Sequence, residues 1–296
     1  MLMLYYRKKE KHVEKGSSSW VLFLTLLFLS SMNIKGALAL EQKVKGDRLK
    51  VAAVSCVIYY RQPGENLKQI AKWTRLAARE RADLVLFNET CITGYMYNRE
   101  IRNFAQPLNG PWVAELTKLA SENNIVICAG MPEKCFGKVH NTQVLVGPKG
   151  LIGFHRKSSL PSGEEKRFDI GHDANVFVIR GVKVGIAICF ESVYPETCRA
   201  LARKGAQVIL APYSNGVTAN EIHEGKRLYF QERPRENGVW YVACDESRVD
   251  KDSADAKINP GAVCFVSPDG SIVEMTSLNE QGEHMIVHEL SIQPRQ

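Results

Sequence analysis

The sequence predicts an α/β protein: one domain of two related halves, forming two face-to-face sheets with helices outside. Three observations lead there. From Leu49 onward strand-like and helix-like stretches alternate, and after a polar loop over 158–173 the same order begins again. Each half closes in a turn between strands, Gly147-Pro148-Lys149-Gly150 in the first and Pro268-Asp269-Gly270 in the second. An apolar run over 184–188 stops abruptly at Cys189, and a helical pattern resumes after Pro195, a residue suited to a first helical turn.

Taken in order, Val51 to Val57 reads as a buried strand, and 65–81 carries apolar residues at helical spacing. The stretch 83–89 is a short apolar strand ending in Glu89, with the turn signal Thr93-Gly94 close behind. A helix near 111–122 and a strand over 125–130 follow, then two strands meeting at Gly147 to Gly150, the second ending Phe154-His155-Arg156-Lys157. In the second half, strands pass through Val176 and Val184, a helix spans 195–204 and a strand 207–211. A longer helix over about 221–237 leads to a strand over 239–244, and the last hairpin joins 262–266 to 271–273.

The first forty residues stand apart. A basic run (Arg7, Lys8, Lys9, Lys11, Lys15) precedes the apolar stretch from Trp20 to Leu29, and Ala37-Leu38-Ala39 supplies small residues at the spacing of a cleavage site. This matches a secretory signal peptide over residues 1–40, or an N-terminal anchor where cleavage fails. The globular domain is then residues 41–296, exported to the periplasm or medium or held on a membrane by that segment. Of the 39 Lys and Arg and 32 Asp and Glu, six basic and two acidic residues lie in 1–39, leaving 33 against 30. No basic stripe with interleaved aromatics remains, which argues against nucleic acid as a partner.

Eight cysteines stand at 56, 91, 128, 135, 189, 198, 244 and 264, without a C-x-x-C pair, which argues against zinc ribbons and thioredoxin-like chemistry. Most sit in apolar runs; Cys128 and Cys135 flank a possible turn and could pair in an oxidising compartment. His155 and His172 flank the lysine-bearing loop without metal-ligand spacing, so no metal is expected. A thiol at a strand-to-helix turn is exposed beside free backbone N–H groups, as a nucleophile requires. Glu89 and Lys157 also end predicted strands, where an isolated buried charge is unfavourable and calls for a partner.

These segments, Phe87-Asn88-Glu89-Thr90-Cys91-Ile92-Thr93-Gly94-Tyr95, His155-Arg156-Lys157 and Ile188-Cys189-Phe190-Glu191-Ser192-Val193-Tyr194-Pro195-Glu196, resemble the carbon–nitrogen hydrolase (nitrilase) superfamily over about 49–290. The resemblance implies a four-layer α-β-β-α sandwich, a homodimer or larger homo-oligomer, and no cofactor. It implies Cys189 as nucleophile, Glu89 as general base and acid, and Lys157 with the Phe190 backbone N–H as oxyanion stabilisers. Many family members have a second glutamate after the lysine; Glu164 or Glu165 fills that place, and counting back from Phe168 favours Glu164. Tyr95, Glu191, Tyr213 and Trp240 are expected pocket walls.

The sequence departs from the pattern in three places. Asn88 replaces a proline before the acid, Phe168-Asp169-Ile170-Gly171 lacks the usual proline, and Glu191 and Val193 stand where many amidases have Asp and Arg. The expected activity is hydrolysis of a small linear amide or N-carbamoyl compound through a cysteine thioester. The segment after Cys189 is also similar to lipoprotein N-acyltransferases, so acyl transfer to an amine is the alternative, with a non-catalytic binding module on this fold as a third.

Overall fold

The computed structural model describes residues 47–172, 174–249, 258–278 and 280–293; the expected signal peptide or anchor lies outside them. The first half runs β1 (Arg48–Ser55), α1 (Pro63–Arg79), β2 (Leu84–Leu86), one turn α2 (Ile101–Phe104), α3 (Pro111–Asn123), β3 (Val126–Cys135), β4 (Lys138–Gly147) and β5 (Gly150–Arg156). The second half opens with β6 (Val176–Ile179), β7 (Val182–Ile186), α4 (Pro195–Arg203), β8 (Val208–Pro212), α5 (Ala219–His223), α6 (Tyr229–Asn237) and β9 (Trp240–Cys244). A small ribbon, β10 (Arg248–Val249) with β11 (Ile258–Asn259), precedes β12 (Val263–Val266), β13 (Ile272–Met275) and β14 (His284–Ser291).

Among the described residues the strands form two six-stranded sheets, ordered β14-β1-β2-β3-β4-β5 and β6-β7-β8-β9-β12-β13. The halves correspond strand for strand. Parallel β1-β2-β3 matches parallel β7-β8-β9, an antiparallel pair extends each at one edge, and an antiparallel strand, β14 or β6, caps the other.

The layering follows from side-chain alternation along the strands. On β1, Leu49, Val51 and Ala53 enter the core between the sheets with Val184, Ile186, Leu210, Val242 and Val263. Ala52 and Val54, pointing the other way, pack with Ile70, Trp73, Leu116 and Leu119 of α1 and α3. Leu201 and Ala202 of α4 and Phe230 of α6 cover the second sheet. Strands covered on both faces have no polar side to show, which is why 84–86 and 208–212 read as unbroken apolar runs. The four-layer α-β-β-α sandwich is the one the sequence predicts.

Three local expectations are corrected. The helix expected over 221–237 is two helices, because Gly225 at φ +72° lies in the left-handed region just beyond α5. The strand expected over 125–130 continues to Cys135 and turns at Phe136 and Gly137, at φ +45° and +79°, so the first half holds two hairpins. Cys128 and Cys135 therefore share one extended strand, separated by roughly 20 Å of backbone, and cannot form a disulfide; all eight cysteines are free. No helix among the described residues is long and apolar enough to cross a membrane.

Candidate active site

Strand ends of both sheets converge on one cleft. Glu89 follows β2, and its backbone N–H donates to the Tyr213 carbonyl beyond β8 at 3.1 Å, tying the two halves together. The backbone of Glu89 and Thr90 lies directly on Gly130, where a Cβ would come within 2.2 Å of Thr90 N. Only glycine leaves room for the acid's chain at that point. Lys157 follows β5; its N–H donates to the Asn141 carbonyl and its own carbonyl accepts from Gly171 N–H, both at 2.8 Å. Gly171 is equally constrained, since a Cβ there would meet the Arg156 carbonyl oxygen at 2.3 Å. The loop over 158–171 thus closes back on the lysine.

The lysine head group is fully buried between two carboxylates. Its Nζ donates to Glu89 Oε1 at 2.7 Å and to Glu164 Oε2 at 2.9 Å, and Asn141 Nδ2 bridges both acids at 2.7 and 3.1 Å. Glu164 is buried while Glu165 is exposed, so Glu164 is the second glutamate of this cluster. Burial pushes the Glu89 carboxyl above its ordinary value of 4.5, and the Glu164 charge adds to that against the pull of Lys157. Burial disfavours the Lys157 ammonium, yet the Glu89 and Glu164 carboxylates beside it hold its pKa well above the usual lysine range.

Cys189 stands just beyond β7, first in the single 3-10 turn Cys189–Ser192, with φ at +49°. A non-glycine residue in that region stores roughly 1–3 kcal/mol and persists only where neighbours hold it. Glu191 is the holder. Its carboxylate accepts from Ile188 N at 2.6 Å, Ser158 N at 2.7 Å, Ser158 Oγ at 2.5 Å and His155 Nε2 at 2.8 Å. Because a carboxylate only accepts, the His155 ring carries hydrogen on Nε2. Burial would raise the Glu191 pKa, but His155 and Ser158 outweigh it and bring it below the ordinary value. Burial and the Glu89 charge push the Cys189 thiol well up, with Lys157 opposing, so at rest the sulfur is protonated.

The cleft, of about 440 Å³, is lined by Glu89, Lys157 and Cys189 with Tyr95, Tyr97, Tyr213, Tyr229, Arg167 and Phe190 around them. Its size suits a small molecule. Tyr95 and Tyr213 line it as expected; Tyr213 is fixed by an OH···OH contact of 2.7 Å with Tyr241 and by stacking on Phe230. Glu191 is not a pocket wall: at 1% exposure, with its oxygens taken by backbone, serine and histidine, it props the turn from behind. Trp240 does not line the cleft either, since its Nε1 donates to the Ser291 carbonyl at 2.9 Å and its ring leans on His288.

The matching of sequence and geometry extends to a known family: residues 50–294 match the carbon–nitrogen hydrolase family. The chain belongs to that family. A nitrilase of Pyrococcus abyssi is 32% identical over 237 residues, covering 79% of this chain and 87% of that protein. An (R)-stereoselective amidase of a Pseudomonas species is 31% identical over 160 residues, 54% of this chain and 57% of that protein, so the likeness spans little more than half of that amidase. Among solved structures, Saccharomyces cerevisiae Nit3 of the nitrilase superfamily superposes with a TM-score of 0.71 at 24% identity, covering 83% of this chain and 90% of that one. An amidase from Nesterenkonia sp. gives 0.71 at 19%, covering 83% of this chain and 91% of that one. Both show the shared fold.

In this carbon–nitrogen hydrolase, sequence reasoning missed Asn141, Arg167, Tyr97 and Tyr229. Asn141 had a readable signal: His140-Asn141-Thr142-Gln143 sets four polar residues in succession in a strand that is buried from Val139 onward. Arg167 was hidden in what reads as a solvated run from Glu164 to Arg167. Tyr97 lies on a loop and Tyr229 opens α6, beyond the break in the expected helix, where no periodicity points to a cleft.

Proposed function

We propose that this enzyme is an amidase that hydrolyses a small linear amide or N-carbamoyl compound through a thioester on Cys189. The observation that carries the reading is the buried Lys157 ammonium, held 2.7 Å from Glu89 and 2.9 Å from Glu164 in the cleft that Cys189 lines. With the thiol protonated at rest and the Glu89 pKa raised, the carboxylate is a stronger base than an ordinary one, and attack is coupled to proton transfer. The Cys189 sulfur bonds to the amide carbon as its proton passes to Glu89. Lys157 and the backbone N–H of Phe190 stabilise the resulting oxyanion, each such donor being worth roughly 3–4 kcal/mol. Glu89 returns the proton to the nitrogen as the C–N bond breaks. Glu89 next takes a proton from water, the hydroxide displaces the sulfur from the acyl carbon, and the thiol is regenerated. Glu164 keeps Lys157 charged and in place throughout.

Ammonia or amine release from a panel of small amides, carbamoyl compounds and nitriles tests this. Release by the wild type and none by Cys189→Ala is the expected result; release by both, or by neither well-folded protein, contradicts it. The stretch from Cys189 to Glu196 favours acyl transfer as the second reading, and added amines converting the product from free acid to a new amide would establish it. We further propose an exported or N-terminally anchored homo-oligomer, tested by sequencing the mature N-terminus and by mass from light scattering.

A further inference from the structure

We propose that the substrate is anionic, a small amide bearing a carboxylate that Arg167 binds. The proposal rests on the amidase reading and narrows it to a substrate class.

Arg167 follows the turn Glu164–Lys166, and its backbone is fixed at both ends: its N–H donates to the Glu164 carbonyl at 2.9 Å and its carbonyl accepts from Arg102 Nη1 at 3.1 Å. Its side chain lines the cleft with Cys189 and Lys157, yet the residue is only 7% exposed. The guanidinium lies 4.8 Å from the centre of the Tyr95 ring and 5.6 Å from that of Tyr97, rings that meet edge to face. Two aromatic groups thus hold a planar cation in one orientation. Its hydrogen bonding is far from complete. Nη1 donates to the Met96 carbonyl at 3.1 Å, while Nε is buried without a partner.

A charge buried this far needs a counter-charge, and among the described residues Arg167 has no ion pair. The neighbouring acids are engaged elsewhere. Glu89 and Glu164 bind Lys157 and Asn141, and Asp169 pairs with Arg102 at 3.1 Å. Arg227, the other arginine of the cleft, differs, because Glu221 meets its Nη2 with both oxygens at 3.3 Å. One cleft wall therefore offers an ordered, unanswered guanidinium, the geometry that takes a carboxylate through charge-assisted hydrogen bonds.

The carboxylate bound by Arg167 would belong either to the acyl group, as in a dicarboxylic acid monoamide, or to the departing amine, as in an N-carbamoyl amino acid. The test compares kcat/KM for matched pairs: glutaric acid monoamide against its methyl ester, and N-carbamoyl-β-alanine against its methyl amide. Calorimetric titration with glutarate runs alongside. The acid of at least one pair should be preferred by ~10- to 100-fold, and the pair showing it identifies which side carries the charge. In Arg167→Gln that ratio should collapse towards one through KM, with Arg167→Lys between, and glutarate binding should weaken to match. Equal turnover of acid and neutral partners by the wild type overturns the proposal and leaves the amidase reading standing. Glutarate binding that depends on Arg167 without hydrolysis of any compound overturns the amidase reading alone. Absence of both binding and turnover overturns both.

Discussion

Two buried carboxylate clusters lie side by side in this molecule, built from neighbouring residues, and they behave oppositely. Lys157 joins Glu89 and Glu164, while the next residue, Ser158, joins Glu191; Cys189 lines the cleft, while Glu191, two residues on, points away from it. Glu191 meets backbone N–H groups, a hydroxyl and an imidazole, with no rival acid, and its pKa falls. Glu89 shares one ammonium with a second carboxylate, and its pKa rises. Burial alone therefore assigns no role. A carboxylate satisfied on every side is a strut, and one left competing for a cation is ready to exchange a proton.

The largest effects should fall on the competing cluster. Cys189→Ala is expected to lower kcat by about a thousand-fold or more while leaving the fold intact, as steady-state assays and circular dichroism would show. Glu89→Gln should come close to that loss. Its wild-type counterpart gives the pH signature: kcat/KM falls as the solution is acidified through the Glu89 pKa, and because that pKa is raised the midpoint lies above 4.5. Lys157, with its pKa well above 10.5, should add no alkaline limb below that pH. A midpoint at or below 4.5 would break the contrast between the two acids.

A smaller catalytic effect, roughly 10- to 100-fold, is expected for Glu164→Gln, which leaves Lys157 with one carboxylate. Glu165→Gln, on an exposed neighbour, should change activity little, and an equal loss in both would dissolve the distinction between them. The strut should answer in stability instead. Glu191→Gln removes a buried charge from His155 and two backbone donors and should destabilise folding by about 2–4 kcal/mol, measured by urea unfolding. With its folded pKa lowered, Glu191 contributes stability above the ordinary carboxylate value of 4.5, and that contribution is lost as pH falls through the lower folded pKa. The variant's stability should therefore fall less steeply on acidification than the wild type's.

The layered fold was legible because buried parallel strands are apolar on both faces and the halves repeat one order of elements. Glu89, Lys157 and Cys189 were legible because each puts a reactive group at a strand end where pure packing has no use for one. Glu164 could be chosen over Glu165 only by counting from Phe168, since both are acids in one charge run. What stayed hidden depends on contacts between distant segments. Glu191 reads as a pocket wall from its place after the nucleophile, and only the approach of His155 and Ser158 from β5 turns it into a prop. Arg167 reads as solvated until Tyr95 and Tyr97, some seventy positions earlier, are seen to enclose it. The Phe136–Gly137 hairpin was missed because a fully exposed phenylalanine at positive φ is an unusual turn residue.

The proposed chemistry passes through a covalent acyl-enzyme on Cys189. Intact mass spectrometry of the full chain, acid-quenched within seconds of mixing with the amide and carbamoyl panel, tests it most directly. The wild type should gain an added mass equal to the acyl group, lost on hydroxylamine treatment and absent from Cys189→Ala. Turnover of a substrate with no adduct under any quench, or an adduct that persists in Cys189→Ala, would contradict it.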